Sequence, residues 1–271
     1  MGGQAMKRLS AIMGSRRTWA LPYVLFLVLF VVLPLLLIIV YAFTDPQGHF
    51  TLQNFVQFFN TSEAVNTFIY SLAIALLTTI ICLLLGYPAA YIMATAELKT
   101  PAVMAMLFIL PMWINFLLRT IATVELFNMF GIPLGEGALL YGMCYDFLPF
   151  MIYPIYNTLQ KMDRSLIEAA RDLGANGREV FVKVILPLSL PGVYSGVIMV
   201  FMPTVSTFAI AELLTRNKIT LFGSLIQRAF GEGGLQMWNY GAALSLIMLI
   251  IIGMTSFFGN NEETESKGGI L

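Results

Sequence analysis

Charge is scarce in this sequence. Of its 271 residues 11 % are charged, while 58 % are hydrophobic. Soluble domains run near about 25 % charged and about 45–50 % apolar, so a soluble globular class is excluded at the outset. The 15 basic and 15 acidic residues cancel, leaving no global field that would draw the chain to nucleic acid. Histidine occurs once, at His49, which excludes a histidine-rich metal site and leaves a solvated loop residue. The two cysteines, Cys82 and Cys144, lie inside apolar runs. They have neither metal nor redox spacing and read as small packing residues. No Gly-x-x-x-x-Gly-Lys-Ser/Thr run is present, so the chain carries no phosphate-binding loop of its own. His-Glu-x-x-His and Gly-x-Ser-x-Gly are missing too, which removes zinc-peptidase and serine-hydrolase chemistry. Only Asp146 lies deep in an apolar segment, so a two-aspartate intramembrane protease lacks its second carboxylate. The chain is expected to have no catalytic residue and no metal ligands.

Long apolar runs are what the sequence has instead. A helix crosses a bilayer with about 20 mostly apolar residues, and six stretches qualify: 19–43, 66–93, 101–118, 138–159, 188–211 and 237–258. Residues 64–96 contain no charge at all. The runs are continuous rather than alternating, which predicts helices and not barrel strands. Pro34, Pro111, Pro149, Pro154 and Pro203 fall within them and predict kinks in a packed bundle. The first run is too long for a signal peptide and no small-residue cleavage site follows it, so it reads as a retained anchor. Eleven of the 15 lysines and arginines fall on the side that holds both termini; Arg119, Arg216, Lys218 and Arg228 fall on the other. The positive-inside rule then makes both termini cytoplasmic. This gives a cytoplasmic segment 1–18, a membrane domain 19–259, and a polar, acidic, mobile tail 260–271. Trp19, Trp238 and Tyr240 read as interface anchors.

The cytoplasmic loop 160–187 is not built like a linker. It reads QKMDRSLIEAARDLGANGREVFVKVILP and is mostly good helix former. Asp163 can cap a helix from 164 to 173, and Gly174 is a natural stop. Leu166, Ile167, Ala170 and Leu173 fall at i, i+1, i+4 and i+7, one apolar face. A second short helix, 177–184, is expected to end at Pro187. The face fits a groove on a partner or, equally, the membrane surface.

The spacing Glu168-Ala169-Ala170, Gly174, Val184, Leu186-Pro187 resembles the signature of the inner-membrane subunits of binding-protein-dependent ABC importers. Val184 stands where the family usually has isoleucine. Leu85-Gly-Tyr-Pro-Ala-Ala-Tyr91, Leu110-Pro-Met-Trp-Ile-Asn-Phe-Leu-Leu-Arg-Thr120, Phe147-Leu-Pro-Phe-Met-Ile-Tyr-Pro-Ile-Tyr156 and the 167–174 core are similar to the spermidine/putrescine permeases of that family. The resemblance implies an all-α, six-helix type I permease whose loop 160–187 is a coupling helix that docks into the ATPase. The coupling residues would be Glu168, Ala169, Ala170, Gly174, Leu186 and Pro187. It also implies a second homologous permease, an ATP-binding subunit dimer that uses ATP and Mg, an extracytoplasmic binding protein, and no cofactor on this chain. The connection 128–137 is shorter than the family pattern.

An ionisable group at bilayer depth costs about 2.5–3.5 kcal/mol on insertion scales and is a functional hypothesis by default. Asp146 is the clearest. Gly142, Pro149, Phe150 and Tyr153 share its side of an ideal helix, and Tyr141, Tyr145, Tyr153 and Tyr156 add phenols. A carboxylate among aromatic faces suits an organic cation such as a polyamine. Asp146 could instead pair with Arg119 and hold the bundle together; both roles stand. Trp113, Asn115 and Arg119 form a polar-aromatic stripe in the third segment, with Glu125 a second possible partner for Arg119. Glu212, ending the fifth segment, could attract cations at an outer vestibule. The substrate-pathway set is Asp146, Tyr145, Tyr153, Trp113, Asn115 and Glu212. The alternatives are a permease of the same build for sulfate or ferric iron, or a self-contained secondary transporter. The latter lacks a visible internal repeat.

Overall fold

The computed structural model describes residues 16–95, 101–231 and 234–268. Residues 1–15 of the expected N-terminal segment, Lys99 of the inner basic set, and the last three residues of the tail lie outside the described residues. Among the described residues the chain is helical, with a single bridge between Thr44 and Phe50. Among the described residues five helices are long and apolar enough to cross a membrane, six if one bent pair counts as a span. The chain divides into two compact units, residues 1–58 with 229–247, and residues 59–228 with 248–271.

In the first unit, α1 runs as Arg16–Leu27, a π-helical turn Val28–Val32, and Leu33–Ala42. Its apolar span Pro22–Ala42 is exposed almost throughout, the surface of a helix that faces lipid. The carbonyls at its end have no helical partner. Two side-chain amides supply donors: Asn54 Nδ2 to the Ala42 and Thr44 carbonyls, both at 3.0 Å, and Asn239 Nδ2 to those of Tyr41 (3.1 Å) and Thr44 (2.7 Å). Asn54 lies on α2 (Gln53–Asn60) and Asn239 on the last helix, Gly234–Gly268. Ala42, Ala242, Ala243 and Leu246 form the small core they enclose, with Phe43 and Phe55 against it. His49 is not simply solvated: its ring lies 3.5 Å from Asp45, whose carboxylate also accepts from the Gln47 and His49 amides.

The second unit is built on the helix Glu136–Gln160, against which Ser62–Thr95 (α3) and Leu186–Ser206 pack most extensively. In chain order it comprises α3, α4 (Pro101–Trp113), α5 (Phe116–Met129), α6 (Glu136–Gln160) and α7 (Arg164–Asp172). Then follow α8 (Gly177–Ser206), α9 (Ala209–Thr215) and α10 (Phe222–Gly231). The helix Gly234–Gly268 is α11. Close approach of α8 to α6 needs a missing side chain: a Cβ at Gly196 would meet Met151 Sδ at 2.8 Å and the Met151 carbonyl at 3.1 Å. Gly192, one turn earlier, abuts the Pro154 carbonyl and Thr158. This is the small-x-x-x-small packing of membrane helices.

Four segments differ from the sequence expectation. The third run is not one helix through Leu118: it breaks at Ile114–Asn115 and its two halves, Met106–Trp113 and Phe116–Met129, are bent by 97°. Asn115 leaves the helical region (φ −53°, ψ 128°) and its side chain caps the new helix through the Leu117 amide at 2.8 Å. The fifth run breaks at Thr207–Phe208, where Thr207 is extended. Pro187 does not end the second loop helix, which runs on into the span as α8. A π-helical turn, Phe181–Ile185, precedes Leu186-Pro187, and the widened turn absorbs the carbonyl clash and missing N–H of proline. The same device, Val28–Val32 before Leu33-Pro34, recurs in α1. Finally, α11 continues to Gly268 instead of stopping at the apolar boundary.

Candidate functional site: a cavity at two helix breaks and a capped two-helix loop

The two breaks meet at one cavity. It measures about 630 Å³ and is lined by Trp113, Ile114 and Asn115 from the first break and by Thr207, Phe208 and Ala209 from the second. Asp146, Phe147 and Phe150 of α6 and Arg119 of α5 complete its wall. Non-helical backbone at membrane depth is tolerated where it lines such a space, since polar groups freed from the helix then find partners. Broken helices also mark the binding region in many transporters.

At its wall sits a buried ion pair. Arg119 Nη2 lies 3.1 Å from Asp146 Oδ1, with side chains 6 % and 2 % exposed. The same nitrogen reaches the Asp146 carbonyl at 3.4 Å, and the Thr120 hydroxyl donates to Asp146 Oδ2 at 3.2 Å. Arg119 therefore takes Asp146 as its partner rather than Glu125, which is exposed and borders a separate shallow hollow with Asn128. The guanidinium also lies 5.6 Å from the centre of the Tyr145 ring, a cation–π distance.

The other expected pathway residues divide. Trp113, 84 % exposed, and Asn115 join Asp146 at the cavity. Tyr145 contacts it through Arg119 and stacks on Tyr141 along an exposed stripe of α6. Tyr153 is exposed, two turns along α6 from Asp146, and does not line the cavity. Glu212 stands half-buried in α9 and does not line the cavity. The aromatic lining of the cavity is thus Trp113, Phe116, Phe147, Phe150 and Phe208, with no tyrosine among its lining residues. Thr207 and Phe208 were not singled out by sequence, because a backbone break inside an apolar run leaves hydropathy unchanged; Pro203 was the only signal nearby.

The loop between α6 and α8 folds as two capped helices. Asp163 accepts from the Ser165 amide at 2.9 Å and starts α7. Gly174, at φ +85°, ends it: its N–H donates to the Arg171 carbonyl at 2.8 Å, and the Ala175 N–H donates to Ala170 at 3.1 Å. Those two bonds make a Schellman motif. Asn176 and Glu179 then form a capping box, each side chain bonding the other's amide at 3.0 Å, a signal legible in the Asn-x-x-Glu spacing. The expected single apolar face is in fact split. Ile167 and Ala170 pack on the core around Leu159, Val180 and Ile185, whereas Leu166 and Leu173 stay exposed, Leu173 at 89 %. Glu168 and Ala169 are exposed with them. Leu186 and Pro187 lie apart from this face, at the junction where α8 enters its span. Arg164, Glu168 and Arg171 border a second cavity of about 470 Å³ against the ends of α3 and α6.

Apolar spans broken around a buried polar pair, joined to a capped two-helix loop with exposed apolar tips, fit a membrane transport subunit. Residues 86–260 match the family described as binding-protein-dependent transport system inner membrane component, and the chain belongs to that family. It is 34 % identical to the spermidine/putrescine transport system permease protein PotB of Haemophilus influenzae, over 85 % of this chain and 88 % of that one. It is also 34 % identical to PotB of Escherichia coli, over 84 % and 90 %. A bacterial ABC transporter involved in the import of the acidic polysaccharide alginate shares the fold, with a TM-score of 0.69 at 13 % identity over 94 % of this chain and 99 % of that one. The MetNI methionine ABC transporter does so at 0.58 and 19 % over 73 % and 93 %. The chain is a multi-pass inner-membrane transport subunit of the importer permease fold.

Proposed function

We propose that this chain is the permease subunit of an ATP-driven polyamine importer, forming half of a translocation pathway with a second homologous permease. The observation that carries the substrate is the 34 % identity to spermidine/putrescine permeases over most of both chains. The alginate and methionine transporters share only the fold and do not bear on the solute. An extracytoplasmic binding protein delivers the polyamine to the outer mouth, and the cavity at the two helix breaks receives it in passing. Closure of a partner ATPase dimer, which uses ATP and Mg, moves the face Glu168–Gly174. That movement passes through the continuous helix α8 to the break at Thr207. The chain binds no cofactor of its own, and both termini are cytoplasmic.

The test is uptake of radiolabelled spermidine and putrescine by proteoliposomes that hold the complete complex, with unlabelled spermidine, putrescine, sulfate and ferric iron as competitors. ATP-dependent uptake that only the polyamines compete away is the expected result. Competition by sulfate or ferric iron would move the chain to one of the other solutes carried by this architecture.

A further inference from the structure

The Arg119–Asp146 pair is poorly built as a structural clamp. Arg119 Nε and Nη1 are buried without any hydrogen-bond partner in the protein, and Asp146 Oδ1 accepts no hydrogen bond of good geometry. Thr120, the other partner of Asp146, spends its one proton partly on the Phe116 carbonyl at 2.8 Å. Buried pairs that serve only stability fill such positions, because each empty one costs free energy. Both members of this pair open onto the 630 Å³ cavity.

Besides the Asp146 carbonyl at 3.4 Å, the guanidinium meets a carboxylate at 3.1 Å and an aromatic ring at 5.6 Å. Carboxylate and ring are the two kinds of group by which an alkylammonium is recognised. We propose that Arg119 is a tethered stand-in for the substrate cation, occupying the Asp146 carboxylate while the cavity is empty and yielding it to an ammonium group that enters. This inference rests on the polyamine reading above.

The displaced arginine has somewhere to go. The same cavity is bordered by Pro203, Ser206 and Thr207 at the C-terminal end of α8, where the helix dipole favours a cation. The exchange solves a problem of release. A bare buried carboxylate would hold a polycation too well, and transport needs binding that is weak enough to leave. An arginine that competes for the same oxygen returns the site to neutral as the substrate departs. It also sets selectivity, since a solute must bring both a positive charge and an N–H donor to replace a guanidinium.

Three variants in the full complex decide the matter. The double variant Arg119→Met with Asp146→Leu replaces the pair by apolar groups, a change that buried ion pairs often tolerate without loss of stability. It is expected to assemble and to keep ATP hydrolysis, with Vmax for spermidine uptake at least about tenfold lower. Arg119→Gln is expected to leave the carboxylate free. The purified permease–ATPase complex without its binding protein then retains labelled spermidine that wild type washes off, while Vmax falls. Asp146→Asn is expected to lose both retention and uptake. A double variant that assembles and transports like wild type overturns the inference and returns the pair to a helix clamp, and it does so even if the single variants fail to assemble. If wild type itself moves no polyamine, the substrate reading falls and this inference with it. Normal wild-type uptake alongside an unaffected double variant overturns the inference alone.

Discussion

At the residue scale, Asp163 and Gly174 bound a nine-residue helix that is too short to persist unaided. Each end is closed by a specific device: a carboxylate on the Ser165 amide, and a left-handed residue whose neighbours return two hydrogen bonds. A Cβ at Gly174 meets nothing within 4 Å, so a side chain there faces backbone strain of about 1–2 kcal/mol but no clash inside this chain. The Gly174→Asp variant is therefore expected to insert and accumulate normally while uptake is abolished, because the new carboxylate projects from the face proposed to meet the ATPase. Immunoblotting of membranes beside an uptake assay checks this; normal uptake at normal abundance would contradict it. The cap has a pH signature. The Ser165 amide holds the Asp163 carboxyl below the usual aspartate range. A lowered carboxylate pKa stabilises the folded state above the unfolded value of about 3.9, and that contribution fades as pH falls through the folded value. The cap is thus intact throughout the neutral range. Asp163→Ala is expected to lower uptake severalfold at neutral pH and Asp163→Asn to preserve it, since asparagine caps as well as aspartate.

At the scale of elements, what was legible followed from local chemistry. The ends of α7, the six apolar runs and the Glu-Ala-Ala spacing are written in residues close together in the chain. The breaks at Ile114–Asn115 and Thr207–Phe208 were not legible, because hydropathy counts side chains and a break is a backbone event. Asn115 carries the signal of an N-cap, but inside an apolar run it reads as one polar residue on a stripe. The partner of Arg119 was open for a different reason: a choice between Glu125 and Asp146 depends on how α5 meets α6, which no local pattern encodes. The continuity of α8 through Pro187 would carry motion at the proposed docking face into the membrane, and the tight seam at Gly196 keeps α8 on α6. Gly196→Leu is expected to overpack that seam by about 1–3 kcal/mol and to lower the melting temperature of the detergent-purified subunit; an unchanged melting curve would contradict the close approach. Leu173 is the opposite case. It is 89 % exposed, so Leu173→Ser should change the stability of the isolated chain by no more than about 0.5 kcal/mol. Co-purification of the ATPase should nevertheless fall sharply.

At the scale of the whole molecule, the scarcity of charge decided the class, and four of the remaining charges stand at the two candidate sites. Glu168 and Arg171 stand at the proposed docking face, while Asp146 and Arg119 stand at the cavity. The measurement that tests the account most directly is ATP-dependent spermidine uptake by the complete complex, wild type against a Glu168→Ala/Gly174→Asp double variant. The account predicts uptake in the wild type and its loss in the variant, with both complexes present in the membrane in equal amount. Equal uptake by the two would contradict it, since the permease would then be moving its substrate without the face assigned to the ATPase.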